Sequence, residues 1–270
     1  MIVYPNAKIN IGLFVVEKRS DGFHNLESVF YPIALSDELE INRIEGRFGE
    51  CVFSNSGIPV DCAPESNLVV KAYHLLADRY KLPAVSVHLK KMIPFGAGLG
   101  GGSADAAFML KALNEYFELN LSVLELEHYA AMLGSDCIFF IQNRPAFVSG
   151  RGELSEDIKL SLNNYSIVLL KPAAKISTKE AYAGIVPTPA PFDLRELPKY
   201  APEEWSRFIS NDFEKSIFPH HPQIARIKQS LYDQGALYAS MTGSGSSVYG
   251  IFEKGKGYVP EAGEIEYCWQ

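Results

Sequence analysis

Between Pro94 and Asp105 the chain reads Pro94-Phe95-Gly96-Ala97-Gly98-Leu99-Gly100-Gly101-Gly102-Ser103-Ala104-Asp105, with five glycines in the seven positions from 96 to 102. Without a Cβ, such a run lets successive backbone N–H groups turn inward around one point. A concave array of N–H dipoles suits an anion. Directly afterwards Ala106, Leu110, Leu113 and Phe117 recur at helical spacing, which predicts a helix opening at Ser103 to Ala104. Its N-terminus would add free amides and a positive dipole end at the same place. The chemistry this points to is phosphate binding; a linker of similar composition would not feed straight into an amphipathic helix.

Two familiar phosphate motifs do not fit. A Walker A loop ends in Gly-Lys-Ser/Thr, whereas Gly102 is followed directly by Ser103. Gly96, Gly98 and Gly101 satisfy G-x-G-x-x-G, but a dinucleotide site wants a buried parallel strand before the loop and an acidic residue about 20 positions on. Here Val85, Val87 and Leu89 alternate with Ser86, His88 and Lys90, and the later positions are Leu121 and Ser122.

Other residues carry chemical potential. Ile9, Ile11 and Leu13 alternate with Lys8, Asn10 and Gly12, the period of a half-buried strand, so Lys8 and Asn10 share a face. A lone strand lysine is ordinarily a solvated charge; with asparagine beside it, a polar site on that face is the second reading. Asp136 stands between a helix stop at Gly134 and the apolar run Cys137–Ile141. From position alone a helix cap is favoured over a site carboxylate. Phe23 and His24 follow an Asp21-Gly22 turn and could offer a stacking surface, although a lone histidine there is more often structural. Thr242-Gly243-Ser244-Gly245-Ser246-Ser247 lies between two strand-like segments and holds more small residues than a tight hairpin needs.

The elements that must position these groups are readable in outline. Strands are predicted at Val29–Ile33, Asp37–Ile41, Val85–Leu89, Ser166–Leu170, Leu237–Met241 and Val248–Phe252. A helix begins at Ser66 or Asn67, with Leu68, Ala72, Leu75 and Leu76 as its buried stripe. Ser122 and Glu125 form a capping box for a helix that Gly134 stops. Pro222 opens a helix with Ile224, Ile227 and Leu231 inward. Residues 42–65 read as turns, and the proline-rich segment 186–202 as a long loop.

At 270 residues, 47% apolar and 21% charged, the chain has the composition of a globular enzyme. A net charge of −7 argues against a nucleic-acid partner, and no apolar run is long enough for a membrane span. The N-terminus lacks a signal pattern. Cys51, Cys62, Cys137 and Cys268 are neither closely paired nor spaced for zinc, so reduced thiols in a cytoplasm are expected.

Taken together, the Lys8-Ile9-Asn10 strand, the 94–103 loop and Thr242-Gly243-Ser244-Gly245 resemble, in that order, the three motifs of the galactokinase–homoserine kinase–mevalonate kinase–phosphomevalonate kinase (GHMP) superfamily. Pro5–Asn10, Asp21–Leu26 and Leu133–Asp136 resemble the branch that phosphorylates a cytidine-diphosphate-linked polyol in non-mevalonate isoprenoid synthesis. The resemblance implies a two-domain α+β fold. A domain like ribosomal protein S5 domain 2 would cover residues 1–155, and a ferredoxin-like domain residues 156–270.

It further implies that ATP lies on Pro94, Phe95, Gly96, Ala97, Gly98, Leu99, Gly100, Gly101, Gly102, Ser103 and Ala104, accompanied by Mg²⁺. Lys8 and Asp136 would be catalytic: Asp136 accepts or orients the hydroxyl proton, and Lys8 offsets transition-state charge. Asn10, Phe23, His24, Tyr182, Thr242, Gly243 and Ser244 would bind substrate, with His24 on the cytosine and Tyr182 on its opposite face. Phe23 stands where the family often has tyrosine. No dedicated metal ligand is evident; Ser103 and Asp105 are the nearest, and Asp105 equally complements a helix dipole. A monomer or weak homodimer is expected. The rival functions are a GHMP kinase for homoserine or mevalonate, a dinucleotide-dependent oxidoreductase and a non-catalytic nucleotide sensor.

Overall fold

The computed structural model describes residues 1–60, 63–260 and 265–269. Cys62 therefore lies outside the described residues. In chain order the first elements are β1 (Ile2–Val3), β2 (Asn6–Lys18), β3 (His24–Ser36), β4 (Glu38–Arg43), β5 (Cys51–Gly57), α1 (Leu68–Tyr80) and β6 (Val85–Lys91). Then come α2 (Gly101–Tyr116), α3 (Val123–Leu133), α4 (Cys137–Gln142), β7 (Ala146–Ser149), β8 (Leu154–Asp157) and β9 (Tyr165–Pro172). The chain ends with α5 (Thr178–Ala183), α6 (Phe213–Ile217), α7 (Pro222–Asp233), β10 (Tyr238–Met241), β11 (Val248–Glu253) and β12 (Ile265–Trp269).

The chain divides into two compact units. The first comprises Met1–Lys8, Pro32–Phe95 and Gly100–Arg144; the second comprises Ile9–Tyr31, Gly96–Leu99 and Pro145–Gln270. Each mixes helix and strand, so the fold is α+β in two domains, both built from discontinuous stretches.

In the first unit a sheet runs β1-β4-β6-β5, with β5 parallel to β6 and the other pairs antiparallel. The period-2 pattern of β6 is realised: Val85, Val87 and Leu89 are buried and pair with Arg43, Ile41 and Leu39 of β4. Fully burying each such aliphatic side chain contributes roughly 1.5–3 kcal/mol. Helix α1 is capped by Asn67, whose side chain accepts from Val69 N. Its buried set is Val69, Val70, Ala72, Tyr73, Leu76 and Ala77, a stripe rotated from the expected one, with Leu68 and Leu75 half-buried. The Ser122–Glu125 capping box opens α3 as predicted. Residues 42–65 are not all turns, because β5 lies within them; its side chains are mostly exposed, so it left little apolar pattern to read.

Helix α2 starts at Gly101, two residues before the predicted opening. Gly100 caps it in the left-handed region (φ 70°), and Ala104 N donates to Gly100 O at 2.9 Å. Glycines carry no apolar signal, so spacing alone could not find this turn. A Cβ on Gly101 would stand 2.9 Å from Ile93 Cγ2, which explains why the turn is made of glycine.

The second unit contains most of the β2-β3-β7-β8 sheet and an antiparallel sheet of order β10-β11-β9-β12. Its core joins Leu13 and Val15 of β2 to Val168, Leu170, Phe213, Ile217, Ile224, Ile227, Leu231, Met241, Val248 and Phe252. Strand β2 differs from the half-buried expectation: nine consecutive residues, Ala7–Val15, are buried. Lys8 and Asn10 are thus interior groups rather than solvated ones. The proline-rich segment is loop over residues 186–193, as expected, but not beyond. Leu194–Lys199 and Pro202–Arg207 form 3₁₀ turns that bury Leu194, Leu197 and Trp205.

Candidate active site

In the first unit Lys8 and Asp136 come together at the head of α2. Lys8, at the start of β2, is 3% exposed, and its Nζ lies 3.5 Å from Asp136 Oδ2. Asp136 occupies the cap position of α4 but makes no capping hydrogen bond. Its side chain is 34% exposed and faces Lys8, so it does not act as the cap that its position suggested. Gly100 is the third member: a Cβ there would meet Phe140 Cζ at 3.0 Å and Lys8 Cε at 3.3 Å. The lysine stem therefore runs alongside the helix cap. Burial pushes the Lys8 ammonium pKa down, and Asp136 partly restores it through its charge and a hydrogen bond. Burial likewise pushes the neighbouring Cys137 thiol up to about 11, so that thiol is inert at neutral pH.

The first-turn amides of Gly101, Gly102 and Ser103 have no acceptor within the helix and carry its positive end. Below them, Asp37 Oδ1 accepts from Met92 N (2.5 Å) and Ile93 N (2.9 Å). Lys91 Nζ donates to Asp37 Oδ2 and, at 2.8 Å, to Asp105 Oδ2. Nothing in the spacing of 37, 91 and 105 marks this cluster. Asp105 Oδ2 is thereby tied to the Lys91 ammonium. Among the described residues no three His, Cys, Asp or Glu side chains form a metal cluster.

In the second unit the middle of the glycine stretch meets the 242–247 loop. Gly98 has φ 77°, and a Cβ on it would fall 2.0 Å from Thr242 O, so only glycine fits. Around Gly96 (φ 64°) a Cβ would meet nothing within 4 Å. Thr242 Oγ1 accepts from Asn10 N at 3.0 Å and lies 3.2 Å from both Asn10 Oδ1 and Gly98 O, one of which takes its proton. Asn10 Nδ2 donates to Ser28 Oγ at 2.9 Å, and Tyr249 OH donates to Asn10 O at 2.8 Å. Asn10 is woven into the wall that holds Thr242.

Asn211, Asp212 and Glu214 are the residues the sequence reading missed. Asn211 Nδ2 donates to Met241 O (2.8 Å) and Gly243 O (2.9 Å), clasping the loop at Thr242. Glu214 Oε1 accepts from Met241 N at 2.8 Å, and Glu214 Oε2 accepts from Lys228 Nζ at 2.6 Å. Asp212 Oδ2 accepts from Val15 N at 2.8 Å. The available signal was a dense run of amide and carboxylate residues around one apolar Phe213.

His24 and Tyr182 come together, their rings stacked at 4.9 Å and 25°. A base held between them would need about 7 Å, two van der Waals layers, so the rings must part to admit one. Tyr182 rides on α5, whose cap Ser177 accepts from Glu180 N at 3.1 Å, and His221 pairs with Glu180 at 2.6 Å. Phe23 is 56% exposed, with the Arg151 guanidinium 5.1 Å from its ring centroid.

A buried cation beside a carboxylate, next to a glycine-capped helix start, is the equipment of phosphoryl transfer. Residues 67–151 match the GHMP kinases N terminal domain, and residues 192–258 match GHMP kinases C terminal. The chain belongs to the GHMP kinase family, which displaces the oxidoreductase alternative.

Its relatives narrow the class. A 4-diphosphocytidyl-2-C-methyl-D-erythritol kinase of Bacteroides thetaiotaomicron is 52% identical, covering 100% of this chain and 99% of the relative. A crystal structure of 4-(cytidine 5'-diphospho)-2C-methyl-D-erythritol kinase superposes with a TM-score of 0.80 at 27% identity, over 93% of this chain and 90% of that one. Methanococcus jannaschii mevalonate kinase superposes with a TM-score of 0.69 at 15% identity, covering 95% and 92%, a likeness of fold alone.

Proposed function

We propose that this chain transfers the γ-phosphoryl group of ATP to the 2-hydroxyl of 4-diphosphocytidyl-2-C-methyl-D-erythritol. The observation that carries the reading is the Lys8–Asp136 pair beside Gly100, at the head of a helix that opens on glycine amides. The names of the full-length relatives support the choice of substrate.

The phosphates lie on Pro94–Ala104, where main-chain amides and the α2 dipole replace the Walker lysine. Mg²⁺ accompanying the ATP would supply charge neutralisation of the phosphates. Asp136 orients the attacking hydroxyl and takes its proton, which leaves late in a dissociative transition state. Lys8 offsets charge on the transferring group. His24 and Tyr182 part to take the cytosine, with Phe23 at the rim. Asn10, Thr242, Gly243 and Ser244 form the wall for the diphosphate-linked polyol. The free thiols of Cys51 and Cys137 suit a cytoplasmic setting.

The test is phosphate transfer from γ-labelled ATP to the cytidine-linked polyol, to homoserine and to mevalonate. Labelling of the first alone is expected. Comparable kcat/KM on either free alcohol would overturn the assignment.

A further inference from the structure

The glycine stretch leaves β6 through Met92 and Ile93 and enters α2 at Gly101. Both stems are fastened to one buried cation. Asp37 Oδ1 holds the amides of Met92 and Ile93, and Asp37 Oδ2 accepts from Lys91 Nζ. The same Nζ donates to Asp105 Oδ2 at 2.8 Å, one turn into α2. Lys91, Asp37 and Asp105 are each at most 4% exposed. A Cβ on Gly101 would stand 3.3 Å from Lys91 Nζ, so the ammonium lies directly beneath the first turn of the helix.

A buried ion cluster is a poor device for stability, because desolvation offsets most of its attraction. It is a good device for fixing geometry. A loop that grips phosphate by main-chain amides works only if those amides are already aimed, since a misplacement of about 1 Å costs on the order of 10² in a positioned reaction. We infer that Lys91, bridging Asp37 and Asp105, is a positioning residue: it locks the exit of β6 to the entry of α2 and so sets the aim of the phosphate-binding amides. None of the three side chains touches the reacting atoms in this account. The role rests on residues 94–104 being the phosphate cradle.

The experiment uses the full chain with D105A and D105N. D105A leaves Lys91 paired with Asp37 but frees the helix stem; D105N keeps an oxygen for Lys91. KM for ATP, KM for the cytidine-linked polyol and kcat are measured beside amide hydrogen exchange of residues 94–104 with and without ATP. In D105A the KM for ATP should rise about tenfold or more, with the KM for the polyol within about twofold and weaker ATP protection of these amides. D105N should recover most of the loss. If D105A does not fold, D105S replaces it, its hydroxyl being too short to reach Lys91. A folded D105A or D105S with unchanged KM for ATP and unchanged protection overturns the positioning role. Absence of ATP protection at 94–104 in the unmodified chain overturns the cradle itself, and the brace with it.

Discussion

Two lysines of the first unit are equally buried and titrate in opposite directions. Lys8 has Asp136 at 3.5 Å, and that carboxylate is one-third exposed; burial dominates, and the ammonium pKa is pushed down. Lys91 sits between two buried carboxylates. Burial alone would lower it, yet the charges and hydrogen bonds of Asp105 and Asp37 outweigh burial, and its pKa is raised. A cation over-supplied with negative charge is a structural tie. Lys8 instead lies beside the one-third-exposed Asp136 carboxylate. Identical residue types at similar depth are thus shifted in opposite directions, Lys8 down by burial beside Asp136 and Lys91 up between Asp37 and Asp105.

Removing the charge at each position tests this contrast most directly. K91M should lose roughly 3–5 kcal/mol of stability, since it leaves the buried Asp37 carboxylate without its cation. K8M should stay within about 1 kcal/mol, since it deletes a desolvated charge and leaves Asp136 access to water. Urea unfolding of both variants reads the difference, and equal losses would erase the distinction.

D136N should bind both substrates normally and turn over roughly 10²-fold more slowly or worse. Steady-state kinetics with wild-type-like kcat would instead remove Asp136 from the reaction. G98A comes next. Its Cβ would collide with Thr242 O at 2.0 Å, and its φ is left-handed, so strain of about 1–3 kcal/mol should raise the KM for ATP at least several-fold.

The smallest effects are slopes with pH. Lys8 has a lower pKa folded than unfolded, so the unfolded chain holds the extra proton between the two values. Stability from this group rises as pH climbs through that window, and thermal melts of K8M should lack the rise. Asp105 is the reverse case: burial raises its carboxyl to about 8, with Asp37 adding to the shift against the pull of Lys91. Its contribution is full below the unfolded carboxylate value and is lost as pH rises toward 8. D105N should therefore gain relative to wild type with increasing pH. Turnover offers a parallel check, because the alkaline limb of kcat should lie below the ordinary lysine range if Lys8 must be charged.

How much was legible follows from the range of each interaction. The glycine stretch, the alternation of β6 and the Ser122 cap are local patterns, and each could be read within a dozen residues. Lys8 and Asp136 were singled out through resemblance, since spacing alone favoured a solvated lysine and a capping aspartate; the structure brings them within 3.5 Å. The Lys91 cluster and the Asn211–Glu214 clasp were missed because each joins stretches that lie far apart in the chain. The start of α2 was displaced for a different reason, glycine being silent in any apolar pattern.

Strand β2 carries a consequence for how the molecule is made. Its interior amides at residues 10, 13 and 15 bond to Thr242 Oγ1, Ser210 O and Asp212 Oδ2, and the Asn10 carbonyl waits for the Tyr249 hydroxyl. Residues 10–15 are thus completed by residues 210–249, far downstream in the chain. Nascent chains halted before residue 210 should keep these amides exchanging freely, and their protection should arrive together once the C-terminal stretch emerges.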